Sequence, residues 1–391
     1  MWFFRAPEVY FGQDSLSHLA ELKGRLAFIV TDRVLASLGF VERVSEQLNV
    51  AGIASQLYSD VEPQPSLETV REGAAQMLAA GPDWIIGLGG GSCMDAARAM
   101  WILYEHPDID PASISPLEDI ELRQKARLIC IPTTAGTGSE AGYAMVLTDN
   151  EEKRKLTLAT RNATADLAIV DPQFTANLPR GVTVDTGIDV LTHAIEGYTS
   201  TWANDFTDGP CLKAIHLVFR YLPRAAKHGA EDLHARERMA NAATLAGLAL
   251  GNSAVALAHA LGHSAGALLP QLTHGRVTAL FLPYTIEYNM IGVEDLRRYQ
   301  DISYILGLAA DDPRQATRAL VRAIRDLQQE LELPLSLRDA GISEEAFQER
   351  IAGMVERAEF DANLLMGQRI PDVEELEKLF RYAYQGREVD F

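Results

Sequence analysis

Up to about residue 180 the chain alternates strand-like and helix-like stretches; beyond it, helical patterns run on almost without a strand signal. Apolar runs at 25–32 (RLAFIVTD), 83–91 (DWIIGLGGG) and 126–140 (ARLICIPTTAGTGSE) each end in polar or glycine-rich residues, and a further strand is expected near 53–61 (IASQLYSDV). Strands of a parallel sheet, buried on both faces, read this way. Helical patterns separate them at 41–52, at 67–81 (closed by Gly81) and at 95–106 (stopped before Pro107). The order predicts an α/β domain over residues 1–180, with a mostly parallel, doubly wound, Rossmann-like sheet covered by helices on both faces. After DPQFTANLP (171–179) come CLKAIHLVFRYL, RERMANAATLAGLAL, ALFLPYTIEYNM and RQATRALVRAIRDLQQEL, which predict an all-α domain over 181–391. A length of 391 residues is long for one core, in keeping with two domains.

The helical half holds an unusual stretch. From Met239 to Gly275 there is no Asp, Glu, Lys or Arg, yet His259, His263 and His274 fall within or at the edge of it. Asp189 and His193 stand four apart in GIDVLTHAIEGY, and so share one helix face; His259 and His263 repeat the spacing in AHALGH. One carboxylate and several imidazoles, with no thiolate, suit a divalent metal such as Fe²⁺ or Zn²⁺. Spacing alone leaves open which of His259 and His263 is a ligand, and any single one of these histidines reads more readily as a core residue with its hydrogen bonds satisfied. The uncharged stretch is long enough to raise the question of a membrane span. Its histidines together with Asn241, Asn252, Ser253, Pro270 and Gln271 favour a buried helix pair, close-packed through Ala and Gly.

In the first half, Gly87-Leu88-Gly89-Gly90-Gly91-Ser92 follows a strand and precedes a helix expected to open near Met94–Asp95. Gly89, Gly90 and Gly91 let backbone N–H groups approach a phosphate at a helix N-terminus, and Ser92 adds a hydroxyl. Asp32 ends an earlier strand, where its carboxylate suits the adenosine ribose and repels a 2′-phosphate, so NAD is expected over NADP. Thr133, Thr134 and Thr137 lie in a second polar loop at a strand's carboxyl end, a position for ligand contacts. Lys155, in EEKRKL, reads either as a positive charge near the pyrophosphate or nicotinamide ribose or as a solvated lysine.

A net charge of −19 opposes binding to nucleic acid or to an anionic membrane surface. Cys93, Cys130 and Cys211 are widely spaced with no CxxC, as expected for a reduced, cytoplasmic protein. The opening MWFFRAPEVYFG lacks the pattern of a signal peptide, and its WFF segment (2–4) suggests strand pairing with a second copy.

Together these segments resemble the iron-containing, or group III, alcohol dehydrogenases. The resemblance runs over nearly the whole chain, through IVTD (29–32), GLGGGSCMDAAR (87–98), IPTTAGTGSE (131–140), AIVDP (168–172), TGIDVLTHAIEGY (186–198) and the histidine segment 259–275. It implies a dehydroquinate synthase-like architecture and a single divalent metal, Fe²⁺ or another such as Zn²⁺, held by Asp189, His193, His259 and His274. It also implies that His263 stands beside the metal without binding it, that Gly90, Gly91, Ser92 and Asp95 surround the pyrophosphate, and that Thr133, Thr134, Thr137 and Lys155 complete the cofactor cleft. The activity implied is hydride transfer between NAD(H) and a small primary alcohol, diol or aldehyde, in a homodimer or larger homo-oligomer. Four positions depart from the family pattern: Gln64, where Asn is common; Gly142 and Ala144, where relatives often carry Thr and Asn; and Asp185, where a small residue is usual. Two other expectations compete, an NAD-using lyase or cyclase like dehydroquinate synthase and a non-catalytic protein that binds metal or nucleotide.

Overall fold

The computed structural model describes residues 3–308 and 311–391. The chain divides into two compact units, Met1–Asn177 and Leu178–Phe391.

The first unit is built on β1 (Glu8–Phe11), β2 (Leu26–Val30), β3 (Ala54–Tyr58), β4 (Trp84–Gly89), β5 (Arg127–Pro132) and β8 (Leu167–Val170), all parallel, in the order β1-β8-β5-β4-β2-β3. The helices between them are α1 (Arg33–Ser37), α2 (Phe40–Val50), α3 (Leu67–Ala80) and α4 (Gly91–Glu105). Alternate residues of the inner strands β2, β4 and β5 feed two cores. Phe28, Val30, Ile85, Leu128 and Cys130 join Val70, Met77, Met100 and Trp101 of α3 and α4. Ala27, Ile29, Ile86, Leu88, Ile129 and Ile131 join Val41, Val44 and Leu48 of α2. Burial on both faces is why these strands read as continuous apolar runs. The chain leaves β2 toward β3 on one side, then returns to place β4 on the other. The order therefore reverses between the carboxyl ends of β2 and β4, where sheets of this kind bind their ligands.

Two features differ from the sequence expectation. Helix α4 opens at Gly91, three residues before Met94, because β4 runs to Gly89 and Gly90 alone makes the turn. An antiparallel hairpin, β6 (Ala144–Asp149) with β7 (Arg154–Ala159), stands apart from the main sheet. Its period-two signal is short and masked: Met145, Leu147, Leu156 and Leu158 are buried, but the exposed position between the first two is Val146. Edge strand β1 was likewise not read from the sequence. Of the WFF segment, Trp2 lies outside the described residues, while Phe3 and Phe4 are exposed.

The second unit is helical, with no strand among its described residues. It contains α5 (Arg180–Thr199), α6 (Asp205–His228), α7 (Leu233–Leu250), α8 (Leu257–Leu268), α9 (His274–Gly292), α10 (Arg297–Ile305), α11 (Pro313–Glu330), α12 (Glu344–Glu359) and α13 (Val373–Gln385). Helix α5, buried throughout from Gly187 to Thr199, packs against α6, α7 and α9. The uncharged stretch forms most of α7, all of α8 and the start of α9, broken between them. Among the described residues no helix is long and apolar enough to cross a membrane. Cys93, Cys130 and Cys211 are unpaired and buried.

Candidate metal centre and cofactor cradle

Three helices bring four donors together. Asp189 and His193 lie one turn apart on α5, His259 lies in the first turn of α8, and His274 is the first residue of α9. Their ligand atoms all fall within 4.8 Å of one another. From the Asp189 carboxylate, His193 Nε2 is 3.8 Å away, His259 Nε2 3.9 Å and His274 Nε2 3.7 Å. Two donors on one ion stand at most twice the bond length apart, about 4.2 Å for bonds of about 2.1 Å, so the three carboxylate–imidazole separations suit a shared cation. Two glycines permit the approach. A Cβ on Gly275 would lie 2.1 Å from the Asp185 carbonyl oxygen, and one on Gly262 would lie 2.7 Å from Thr278 Cγ2. Neither helix crossing leaves room for a side chain.

The electrostatics favour the same reading. Burial by itself would raise the Asp189 carboxyl; the imidazoles of His193, His274 and His259 and the Thr278 hydroxyl outweigh it and hold it at about 2. Burial, with His193 nearby, keeps His259 well below the usual imidazole range despite Asp189, so it is neutral and has a lone pair to give. His259 Nδ1 lies 2.6 Å from Glu196 Oε2, and Thr278 Oγ1 donates to Asp189 Oδ1 at 2.8 Å. His259 Nε2 and His193 Nδ1 are buried without a hydrogen-bond partner. Orphaned buried polar atoms are uncommon and call for an explanation. A cation among the four donors supplies one for His259 Nε2, and the donor set fits a borderline divalent ion.

Glu196 escaped the sequence reading although it lies on the same α5 face, three residues after His193. Burial pushes its carboxyl up to about 7. It accepts from Ala258 N and faces His259, and so orients that ring, as carboxylates behind metal-bound histidines do. His263 stands outside the four-donor group, its side chain 39% exposed, with Nδ1 2.9 Å from Asp361 Oδ2. Burial opposes ionisation of Asp361, but His263 and the hydrogen bonds from Asn363 together outweigh it and hold the carboxyl below the usual range. No local pattern marks Asp361, which lies 98 residues from His263.

In the first unit, Asp32 and the glycine turn face one another across the strand-order reversal. Gly90 offers α4 no side-chain cap, leaving the first N–H groups of that helix for a ligand. Thr134 and Thr137 lie against Gly90 and Gly91. Thr133 is buried, Ser92 is partly buried, and Lys155 is exposed on β7. Asp32 caps α1: its Oδ1 accepts from Leu35 N at 2.9 Å, and the Cys93 thiol donates to Oδ2 at 3.6 Å. Asp95 is not an open contact. Ser139 Oγ, Val146 N and Arg98 Nη1 donate to its oxygens at 2.7, 3.0 and 3.3 Å, and burial raises its carboxyl above the usual range. Fully buried Arg98 also donates to the carbonyls of Ser139, Gly142, Ala144 and Ala163, so the threonine loop and the hairpin are tied to α4.

The family departures have places too. Gln64 has φ +60°, a left-handed backbone that Asn tolerates better than Gln. Gly142 and Ala144 meet Arg98 through their carbonyls, and a Cβ on Gly142 would meet only Ser139 O, at 4.0 Å, so the absent Thr leaves open space.

Known proteins bear the same features. Residues 6–172 match the model of the family described as iron-containing alcohol dehydrogenase, and residues 183–384 that of the Fe-containing alcohol dehydrogenase family, C-terminal. The chain belongs to the iron-containing alcohol dehydrogenase family. It is 39% identical to aldehyde-alcohol dehydrogenase 2 of Entamoeba histolytica over 98% of its own length but 46% of that protein's, so it spans about half of this longer relative. It is 38% identical to the NADPH-dependent butanol dehydrogenase of Clostridium saccharobutylicum over the full length of both. The crystal structure of sulfoacetaldehyde reductase from Bifidobacterium kashiwanohense, in complex with NAD⁺, superposes with a TM-score of 0.86 at 26% identity, over 98% of each chain.

Proposed function

We propose that this chain is a metal-dependent alcohol dehydrogenase and aldehyde reductase acting on a small primary alcohol, diol or aldehyde. The observation that carries the reading is the convergence of Asp189, His193, His259 and His274, with His259 Nε2 buried and unpartnered among them. When bound, a divalent cation there, Fe²⁺ first among the candidates, supplies a Lewis acid, and a nicotinamide supplies or takes the hydride. The chain's own residues do the rest. Glu196 fixes the His259 ring so that Nε2 faces the other donors. Thr278 holds the Asp189 carboxylate. His263, partly exposed and anchored by Asp361, carries the substrate's proton between the site and solvent. In the first unit, Gly89, Gly90, Gly91 and Ser92 cradle the pyrophosphate, with Thr133, Thr134, Thr137 and Lys155 around the cofactor. Asp95 supports that cradle from behind through Arg98 and Ser139. The working protein is a homodimer or larger homo-oligomer.

The direct experiment is to load the protein with Fe²⁺ or Zn²⁺, add NADH and a panel of short aldehydes, and follow absorbance at 340 nm. Loss of NADH that depends on both metal and aldehyde is expected. No loss with any metal, and none in reverse with alcohols, diols and NAD⁺, would overturn the activity.

NAD is the preferred cofactor in this reading, although a full-length relative is named for NADPH. One Asp32 oxygen is taken by the α1 cap, and the other is left for the ribose hydroxyls apart from a weak thiol contact. A 2′-phosphate there would meet a carboxylate. Asp32→Gly is expected to raise the NADP-to-NAD ratio of kcat/KM by about tenfold or more, since like charges in contact cost several kcal/mol. Glycine at an N-cap costs only a few tenths of a kcal/mol, so the fold survives. An unchanged ratio in steady-state kinetics removes Asp32 from this role.

A further inference from the structure

The four donors are not held equally. The side chains of Asp189, His193 and His259 are 4%, 7% and 3% exposed, whereas His274 is 49% exposed. Close packing fixes the first three; it does much less for the fourth. His274 is also the first residue of α9, and first turns fray unless their free N–H groups and their backbone are held.

What holds this turn is Asp185. It lies on α5 one turn before Asp189, on the same helix face. Its Oδ2 accepts from Thr273 Oγ1 at 2.7 Å, and its Oδ1 accepts from Arg276 Nε and Nη2 at 3.0 and 2.9 Å. Thr273 immediately precedes His274, and Arg276 follows it by two. The carboxylate therefore holds a side chain on each side of the exposed ligand. Thr273 occupies the N-cap of α9 but makes no side-chain cap, because its hydroxyl is turned to Asp185. A cation in a helix's first turn is poorly placed against the helix dipole; the Asp185 carboxylate offsets this for Arg276. Between them Gly275 lies against the Asp185 carbonyl, so the first turn of α9 rests directly on α5.

We propose that Asp185 is a positioning residue for the metal centre, and that the Thr273–Asp185–Arg276 clamp holds His274 in the ligand set. This rests on the reading that Asp189, His193, His259 and His274 bind a divalent cation. Without the clamp the apoprotein keeps a three-donor site made by Asp189, His193 and His259, and His274 joins it only part of the time. The metal is then held less tightly and leaves faster.

The test uses metal binding rather than turnover. Wild type, Asp185→Ala, Arg276→Ala and the double variant are stripped and titrated with Zn²⁺ against a chromophoric chelator; each is also loaded with Co²⁺ and its visible spectrum recorded. Asp185→Ala is expected to weaken Zn²⁺ at least about tenfold, as loss of residues supporting metal ligands typically does, and to alter the Co²⁺ bands. Arg276→Ala removes the pair from its more exposed side and is expected to act in the same direction, so the question remains answerable if Asp185→Ala fails to fold. The double variant is expected to be no weaker than Asp185→Ala, the non-additivity of residues acting as one unit. Asp185→Asn, which still accepts from Thr273, is expected to fall between wild type and Asp185→Ala. Folded Asp185→Ala or Arg276→Ala with wild-type Zn²⁺ affinity and Co²⁺ spectrum overturns the clamp, even if its apoprotein melts lower, since a purely structural residue would behave that way. Failure of the underlying reading looks different: wild type itself binds no Zn²⁺, or His193→Ala binds it as wild type does.

Discussion

His259→Ala is expected to cost the protein its metal and its turnover together. The ring is 2% exposed and neutral, with Nδ1 committed to Glu196 and Nε2 facing the other donors. Losing a residue that merely supports a metal ligand costs about 10–100-fold in affinity, so losing the ligand is expected to cost at least the upper end of that range. The variant also strands Glu196, whose carboxylate keeps Ala258 N but loses the imidazole. A ligand at a hundred times its Kd stabilises a protein by about 2.7 kcal/mol. Metal should therefore raise the Tm of wild type by several degrees and leave that of His259→Ala unmoved. His263→Ala is the contrast: it should keep its metal and its metal-dependent Tm while turning over more slowly. Elemental analysis with paired melts decides the matter. Wild-type metal content in both variants would show that the ligands are wrongly assigned.

The second large effect is expected from Gly275→Ala. The added methyl would meet Asp185 O at 2.1 Å and Asp189 Cβ at 2.8 Å, atoms on or next to the α5 backbone that cannot swing aside. Helix α9 must lift from α5, taking His274 away from Asp189. Overpacking costs typically about 1–3 kcal/mol, and this contact belongs at the top of that range or beyond it. Gly266→Ala on α8 is a matched control. There the methyl meets only Val277 Cγ1, at 3.5 Å, and glycine to alanine inside a helix gains up to about 1 kcal/mol. Apoprotein melts should move in opposite directions for the two variants. Equal melts for Gly275→Ala and wild type would mean that the two helices are not so tightly apposed.

What was legible in the sequence was what local order encodes. Runs such as 83–94 carry strand, turn and helix start in a dozen residues, and the i, i+4 pair Asp189/His193 needs only a helix to bring its members together. The meeting of three helices around those residues is tertiary, and spacing could not say which of His259 and His263 faces the donors; burial separates them, at 3% and 39% exposure of the side chain. Glu196 was readable in principle from its place on the α5 face. Asp361 was not, because nothing near it in the chain marks a partner 98 residues away. The hairpin is hard to read because exposed Val146 breaks the apolar/polar alternation of β6, and β7 offers only Leu156 and Leu158 as an alternating pair.

The buried guanidinium of Arg98 has a consequence for how a dinucleotide arrives. Because it fastens the threonine loop and the hairpin to α4, the surface proposed to meet the phosphates is held in order by the fold itself. Immobilising a flexible side chain on association costs about 0.5–1.5 kcal/mol, and a loop costs more. That expense is met once, when the chain folds, so encounter and release can both be quick, a property suited to a carrier that must be exchanged at every turnover.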